Sequence, residues 1–128
     1  MAVRVVRLGS KRSEGEGLRI GTVRRPPRGV PKQDFAKRNF YDVWLPTLSP
    51  SAETLKFGLG AETARDWARF IKRYRAEMKK PDANATLNLL AAMSHHADFS
   101  IGCYCEDESH CHRSVLRELL RERGATMK

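Results

Sequence analysis

Near its C-terminal end this chain passes almost directly from a β-type run into a helix-type run, and that junction constrains the fold more than any other feature. Phe99-Ser-Ile-Gly-Cys-Tyr-Cys105 alternates, with Phe99, Ile101, Cys103 and Cys105 on one side and Ser100, Gly102 and Tyr104 on the other. The run predicts a central strand. Glu106–Ser109 reads as a tight acidic loop. A helix then opens near Cys111, carries Val115, Leu116, Leu119 and Leu120 inward, and stops at Gly124.

The rest of the chain repeats this alternation of element types. Val3–Leu8 is short and β-branched and predicts a first strand; the glycine-rich polar stretch 9–17 is a loop; Leu18–Val23 predicts a second strand. Residues 24–31, Arg-Arg-Pro-Pro-Arg-Gly-Val-Pro, form a stiff basic loop, because proline lacks the amide donor and restricts its predecessor. Tyr41–Leu45 fits either a short strand or a turn of helix. Ser49-Pro50 reads as a helix start, with Ser49 as cap, and that helix ends near Gly58 and Gly60. A longer helix over about 61–79 keeps Trp67, Ile71, Tyr74 and Met78 on one face. A third, over about 83–96, is capped by Asp82 or Asn84 and turns Leu87, Leu90 and Ala91 inward. Helices between strands imply an α/β domain, a small, mostly parallel sheet with helices packed on it in a Rossmann-like three-layer arrangement. The 128 residues fit a single domain, 1–128.

Composition bounds the class. No apolar run approaches the ~20 residues that cross a bilayer, and the N-terminus lacks the pattern of a signal peptide, so the expectation is a cytoplasmic protein with no membrane partner. Three cysteines are an odd and closely spaced set, a poor disulfide framework. The net charge of +9 is concentrated: residues 1–40 hold eleven Lys or Arg against three acids, and residues 41–128 hold thirteen against twelve. A basic N-terminal third attracts polyanions, with nucleic acid the first candidate.

The residues with the most chemistry are Cys103-Tyr-Cys105-Glu-Asp-Glu-Ser-His110-Cys111-His112-Arg113. They lie where a strand hands over to a helix, the place where open α/β sheets gather ligands. A helix N-terminus favours anions and lowers a nearby thiol pKa. Cys105 and Cys111 are candidates for nucleophile or redox centre, His112 for proton carrier, and Glu106 for acid or base. Arg113 is the candidate anion fork, with Arg24, Arg25 and Arg28 as a clamp from the basic loop. That clamp requires the basic loop to fold back over the cysteines. The Cys-x7-Arg spacing from Cys105 to Arg113 excludes a phosphatase loop, which needs Cys-x5-Arg. Cys103, Cys105, His110, Cys111 and His112 supply enough donors for zinc, but Cys-x-Cys-x5-Cys-His is not a common zinc spacing, so no metal and no cofactor is assigned. His95-His96 suits a helix C-terminus, and Trp44, near the basic loop, is a candidate cleft residue.

The Cys105-Glu106…Cys111-His112-Arg113 pattern resembles the Cys-Glu…Cys-His-Arg signature of the domain of unknown function 488 family. Asp42-Val-Trp44-Leu-Pro-Thr-Leu-Ser-Pro-Ser51 and the run from Trp67 to Met78 are similar to its YeaO-like branch, and the resemblance spans roughly residues 3–123. Where YeaO-like members often carry Asp-Arg-Leu-Trp-Pro-Arg-Gly, this chain reads Val23-Arg-Arg-Pro-Pro-Arg-Gly29, without the acid and the tryptophan. The resemblance implies an α/β fold and a cytoplasmic bacterial or archaeal protein, and no established activity. Two classes of function remain open: an enzyme-like pocket for a phosphate-bearing ligand (a nucleotide or nucleic acid), and a non-catalytic nucleic-acid-binding module built on the basic third. A structural metal site is a third.

Overall fold

The computed structural model describes residues 1–128. Strands β1 (Val3–Arg7), β2 (Leu18–Gly21), β3 (Val43–Trp44) and β4 (Phe99–Cys103) form one sheet in the order β1-β4-β2-β3. Every pairing is parallel, with Val5 and Ile20 both opposite Ile101 on the central β4. Parallel strands need crossovers, and here helices α1 (Ala52–Leu59), α2 (Ala64–Met78) and α3 (Pro81–Met93) lie between β3 and β4, with α4 (His112–Glu122) after β4. The α/β expectation is met.

One face of the sheet carries the main core. Val3, Ile20, Phe99 and Ile101 pack against Phe70, Tyr74 and Met78 of α2, Leu87 and Leu90 of α3, and Val115, Leu116, Leu119 and Leu120 of α4. The apolar stripe read on α4 is therefore its core face. The opposite face is covered by the loops around 10–16 and 35–42. Asp42 ties these to β2, receiving a hydrogen bond from the Arg19 backbone N–H at 2.8 Å and both ends of the Arg12 guanidinium at 2.9 and 3.0 Å. Gly21 and Gly102 pair across the two central strands. A Cβ at Gly21 would collide with the Tyr41 ring, and one at Gly102 would meet Leu8 at 2.7 Å. The two glycines thus admit Tyr41 and Leu8, which form a second small apolar cluster with Val23, Cys103 and Cys111.

Local chemistry moves several boundaries from their expected places. The cap of α1 is Ser51, not Ser49: Ser51 Oγ accepts from the Thr54 N–H, whereas Ser49 Oγ donates to the Pro46 carbonyl. α3 begins earlier, with Pro81 at its first position after Lys80. Asp82 and Asn84 therefore fall inside its first turn rather than capping it. It ends at Met93, before His95-His96. Tyr41–Leu45 resolves into the two-residue edge strand β3, flanked by a 3-10 turn over Pro46–Leu48. β4 stops at Cys103, so Cys105 lies beyond the strand rather than on its alternating face. No helix is long and apolar enough to cross a membrane.

Candidate functional site

The carboxyl ends of β2 and β4 open into a cavity of about 680 Å³. Its floor is Cys103, Tyr104, Cys105 and His112. Its roof is the basic loop, contributing Val23, Arg24, Arg25, Pro26, Pro27 and Arg28. Phe40, Pro50, Leu55 and Leu59 complete an apolar wall. The loop from the first third of the chain is thus folded over the cysteine segment. Two contacts hold it there: Trp44 Nε1–H donates to the Val23 carbonyl at 2.7 Å, and the Tyr104 hydroxyl donates to the Arg25 carbonyl at 2.9 Å. Trp44 anchors the roof from outside; it does not line the cavity.

Arg24, Arg25 and Arg28 are exposed and meet no acid. Other arginines are taken up by carboxylates, Arg12 by Asp42, Arg19 by Glu16, Arg75 by Glu122 and Arg117 by Glu108. Three unpaired cations on a stiff loop leave a positive potential over the cavity mouth.

The sulfur atoms are gathered beneath. Cys103 Sγ and Cys105 Sγ are 3.8 Å apart, Cys111 Sγ and His112 Nδ1 are also 3.8 Å apart, and the donor atoms of Cys103, Cys111 and His112 all fall within 4.8 Å of one another. Cys103 and Cys111 are buried; Cys105 is half-buried on the cavity wall. His112 Nε2 lies 2.8 Å from the Thr22 carbonyl, an acceptor only. Nε2 therefore carries the proton, and the basic nitrogen is Nδ1, the one facing Cys111. Thr22 Oγ1 donates to the Gly102 carbonyl at 3.0 Å, fixing the threonine beside the ring, and Tyr74 packs edge-on against the imidazole.

This arrangement concentrates negative charge on one sulfur. Hydrogen bonds from the Cys103 and Cys105 thiols, helped by His112, hold the Cys111 thiol well below its usual range against the opposing effect of burial. Cys103 is pushed the other way, first by its contacts with Cys105 and Cys111 and then by burial. Cys111 is also the N-cap residue of α4, where the helix dipole favours an anion. The three thiols titrate as a unit.

The remaining sequence candidates sit outside the cavity. Arg113 is 3% exposed; its Nη2 donates to the Cys105 carbonyl at 2.6 Å, and its Nε has no partner. It braces the cysteine loop from behind rather than lining the cavity. Glu106 has a side chain 84% exposed and lies 3.5 Å from Arg7. His110 is exposed, paired with Asp107 at 3.1 Å and tilted against Trp67, away from the sulfurs. Glu108 and Arg117 clamp the turn at Glu108–His110 onto α4 through bonds of 2.8 and 2.9 Å. Reading along the chain assigned no site role to Tyr104, Phe40, Leu55 or Thr22. Only Tyr104, an aromatic between two cysteines, carried a local signal; the others reach the site from far away in sequence.

Neither the curated proteins nor the solved structures contain a match to this chain. The profile of the DUF488-N3a family, described as the active DUF488-N3 subclade, matches residues 3–124, which takes in both the basic roof and the cysteine floor. The chain belongs to the DUF488 family, in its N3a subclade.

Proposed function

We propose that the cavity is an enzyme-like pocket for a phosphate-bearing ligand of the nucleotide class. The observation that carries this reading is the closure of the basic loop over the cysteine segment, which puts three unpaired arginines, an apolar wall and a half-buried thiol around one space. A cavity of about 680 Å³ falls within the ~300–1,000 Å³ of small-ligand sites. Arg24, Arg25 and Arg28 supply fork donors for a phosphate. Phe40, Tyr104 and the prolines 26 and 27 offer flat apolar surface for a base. Sulfur forms the reacting end, with Cys105 the thiol that meets the ligand and His112 a second lining residue that faces Cys111. The description of the matched family as an active subclade accords with this.

The test compares binding of inorganic phosphate and a mononucleotide to the wild type and to the Arg24→Ala/Arg25→Ala/Arg28→Ala variant, alongside the alkylation rate of Cys105. The reading expects the mononucleotide to bind more tightly than phosphate, to slow Cys105 alkylation, and to lose affinity in the triple variant. Equal affinity of the two proteins, with no protection of Cys105, would overturn it. A second reading has one favouring observation: Lys56, Arg65, Arg69, Lys72 and Arg73 of α1 and α2 are likewise acid-free, so cationic surface extends well beyond the basic loop. A single-stranded oligonucleotide that binds far more tightly than the mononucleotide, with affinity falling steeply in salt, would favour a nucleic-acid-binding module.

A further inference from the structure

The pocket reading leaves open what three thiols and a histidine do together. Sulfur atoms this close, with no acid among them, are an unusual grouping for a cavity floor. Three of these donors, from Cys103, Cys111 and His112, stand close to the spacing of a coordination polyhedron. A tetrahedral zinc with bonds of about 2.3 Å to sulfur and 2.0–2.1 Å to nitrogen places its ligand atoms about 3.6–3.8 Å apart. Cys103 Sγ to Cys105 Sγ is 3.8 Å and Cys111 Sγ to His112 Nδ1 is 3.8 Å, each the length of one edge of such a tetrahedron. Cys103, Cys111 and His112 lie within 4.8 Å of one another, so these three corners need only a small inward movement, while Cys105 stands outside that group and joins it by a side-chain rotation from its contact with Cys103.

The surroundings fit as well as the distances. A histidine that binds metal through one nitrogen commonly donates from the other to a carbonyl or carboxylate, which fixes ring and tautomer. His112 meets that condition already: Nε2–H donates to the Thr22 carbonyl, and Nδ1 is left to face the sulfurs. Charge also balances. Three thiolates and a divalent cation carry one net negative charge, and the buried guanidinium of Arg113, bonded to the Cys105 carbonyl, offsets it. The donors are held by firm elements: Cys103 ends β4, Cys111 caps α4 and His112 opens it. His110 is excluded, since it is exposed, paired with Asp107 and tilted against Trp67.

We infer that Cys103, Cys105, Cys111 and His112 bind a divalent cation of the zinc class in a tetrahedral Cys3His centre, with Cys105 as the corner that faces the cavity. The linear spacing hides this set because its ligands come from a strand end, a loop and a helix cap rather than from a knuckle. Cys103, Cys111 and His112 are the fixed ligands. Cys105, half-buried on the cavity wall, is the exchangeable one. The centre would then stand at the reacting end of the pocket, where a metal polarises a ligand oxygen or a bound water; this last role rests on the pocket reading, whereas the metal site does not.

The experiment uses the full chain, reduced and stripped with chelator. Zinc is titrated against a chromophoric chelator, cobalt is followed by thiolate-to-metal charge transfer and tetrahedral ligand-field bands, and mononucleotide binding is measured in parallel. One zinc per chain is expected, together with protection of all three cysteines from alkylation and a rise in Tm. Cys103→Ser and Cys111→Ser should abolish stoichiometric uptake. Cys105→Ser should keep the stoichiometry, bind more weakly and lose part of the charge-transfer intensity. Since the buried-cysteine variants can misfold, the wild-type cobalt spectrum and its change in Cys105→Ser decide the matter independently. No stoichiometric uptake by the reduced wild type, or a cobalt spectrum without thiolate charge transfer, overturns the inference. Nucleotide binding without zinc uptake would sink the metal centre and leave the pocket standing; zinc uptake without nucleotide binding would do the reverse.

Discussion

The carboxylate of Glu16 and the guanidinium of Arg19 are buried under the loops that cover one face of the sheet, as completely as Cys103, Cys111, His112 and Arg113 are buried at its carboxyl end. Arg19 is 0% and Glu16 2% exposed. Arg19 donates twice to Glu16, at 2.8 and 3.0 Å, and to the carbonyls of Ser10 and Asn39 at 2.9 and 2.7 Å. Glu16 also accepts from the Ser100 hydroxyl and the Ser13 N–H. Burial alone would raise its carboxyl, but these bonds outweigh that and hold it down, from the ordinary 4.5 to about 2. Every lone pair has a donor and the charges cancel. The sulfur cluster is built differently. Arg113 keeps an unpartnered Nε, Cys103 and Cys105 face only each other's sulfur at 3.8 Å, and of the three thiols Cys111 alone meets the His112 ring nitrogen. Buried polarity that is fully matched within the chain stabilises a fold, whereas polarity left unmatched makes a candidate site.

Mutation should separate the two clusters. The largest effect expected is at the matched pair. Arg19→Met leaves Glu16 buried and unpaired, and should cost about 3–5 kcal/mol of unfolding free energy in a urea titration. The Arg19→Met/Glu16→Gln double variant should recover part of that. The next is a pH effect on the wild type. Because the Glu16 carboxyl is depressed in the folded state, its contribution is present above pH 4.5 and is lost as pH falls toward about 2. The loss amounts to ~3 kcal/mol by linkage, and Glu16→Gln should lack it in a denaturation series over that window.

At the unmatched cluster the order reverses, with small effects on folding and large ones on binding. Arg24→Ala/Arg25→Ala/Arg28→Ala should change stability by less than ~0.5 kcal/mol per exposed site. It should nevertheless weaken mononucleotide binding at least tenfold, since each charge-assisted bond is worth about 1.5–3 kcal/mol. Isothermal titration and denaturation on the same preparations check both halves. Arg113→Met removes a buried guanidinium that has no carboxylate partner, so its cost should be well below that of Arg19→Met. In metal-free protein the Cys105 thiol is held above its ordinary range, the lowering by its contact with Cys103 being outweighed by Cys111 and burial; Arg113 also opposes that rise, so the variant should slow Cys105 alkylation further. Thr22→Val should cost about 1 kcal/mol for the lost bond to the Gly102 carbonyl, read as a shift in the denaturation midpoint.

Much of this molecule was legible along the chain. The alternating run at 99–103, the helical stripes ending in Leu119-Leu120, and the strand-to-helix junction with Cys111-His112-Arg113 are local patterns of period two or 3.6, and the structure keeps them. The capping of α1 was read two residues early because Ser49 and Ser51 flank the same proline; only the position of the Thr54 amide distinguishes them. The sequence placed a basic loop and a cysteine segment some eighty residues apart and could say only that the pocket needed them to meet. Tertiary structure decided that they do, through Tyr104 on Arg25 and Trp44 on Val23. It also decided that Arg19, a charged residue within the second strand, is buried on Glu16, and that His112 turns Nδ1 toward the sulfurs because Nε2 finds the Thr22 carbonyl across ninety residues. Periodicity and capping are properties of neighbouring residues and survive in the bare sequence. The partner of a buried charge or ring nitrogen is set by which strands become adjacent, and the order β1-β4-β2-β3 exists only once the chain has folded.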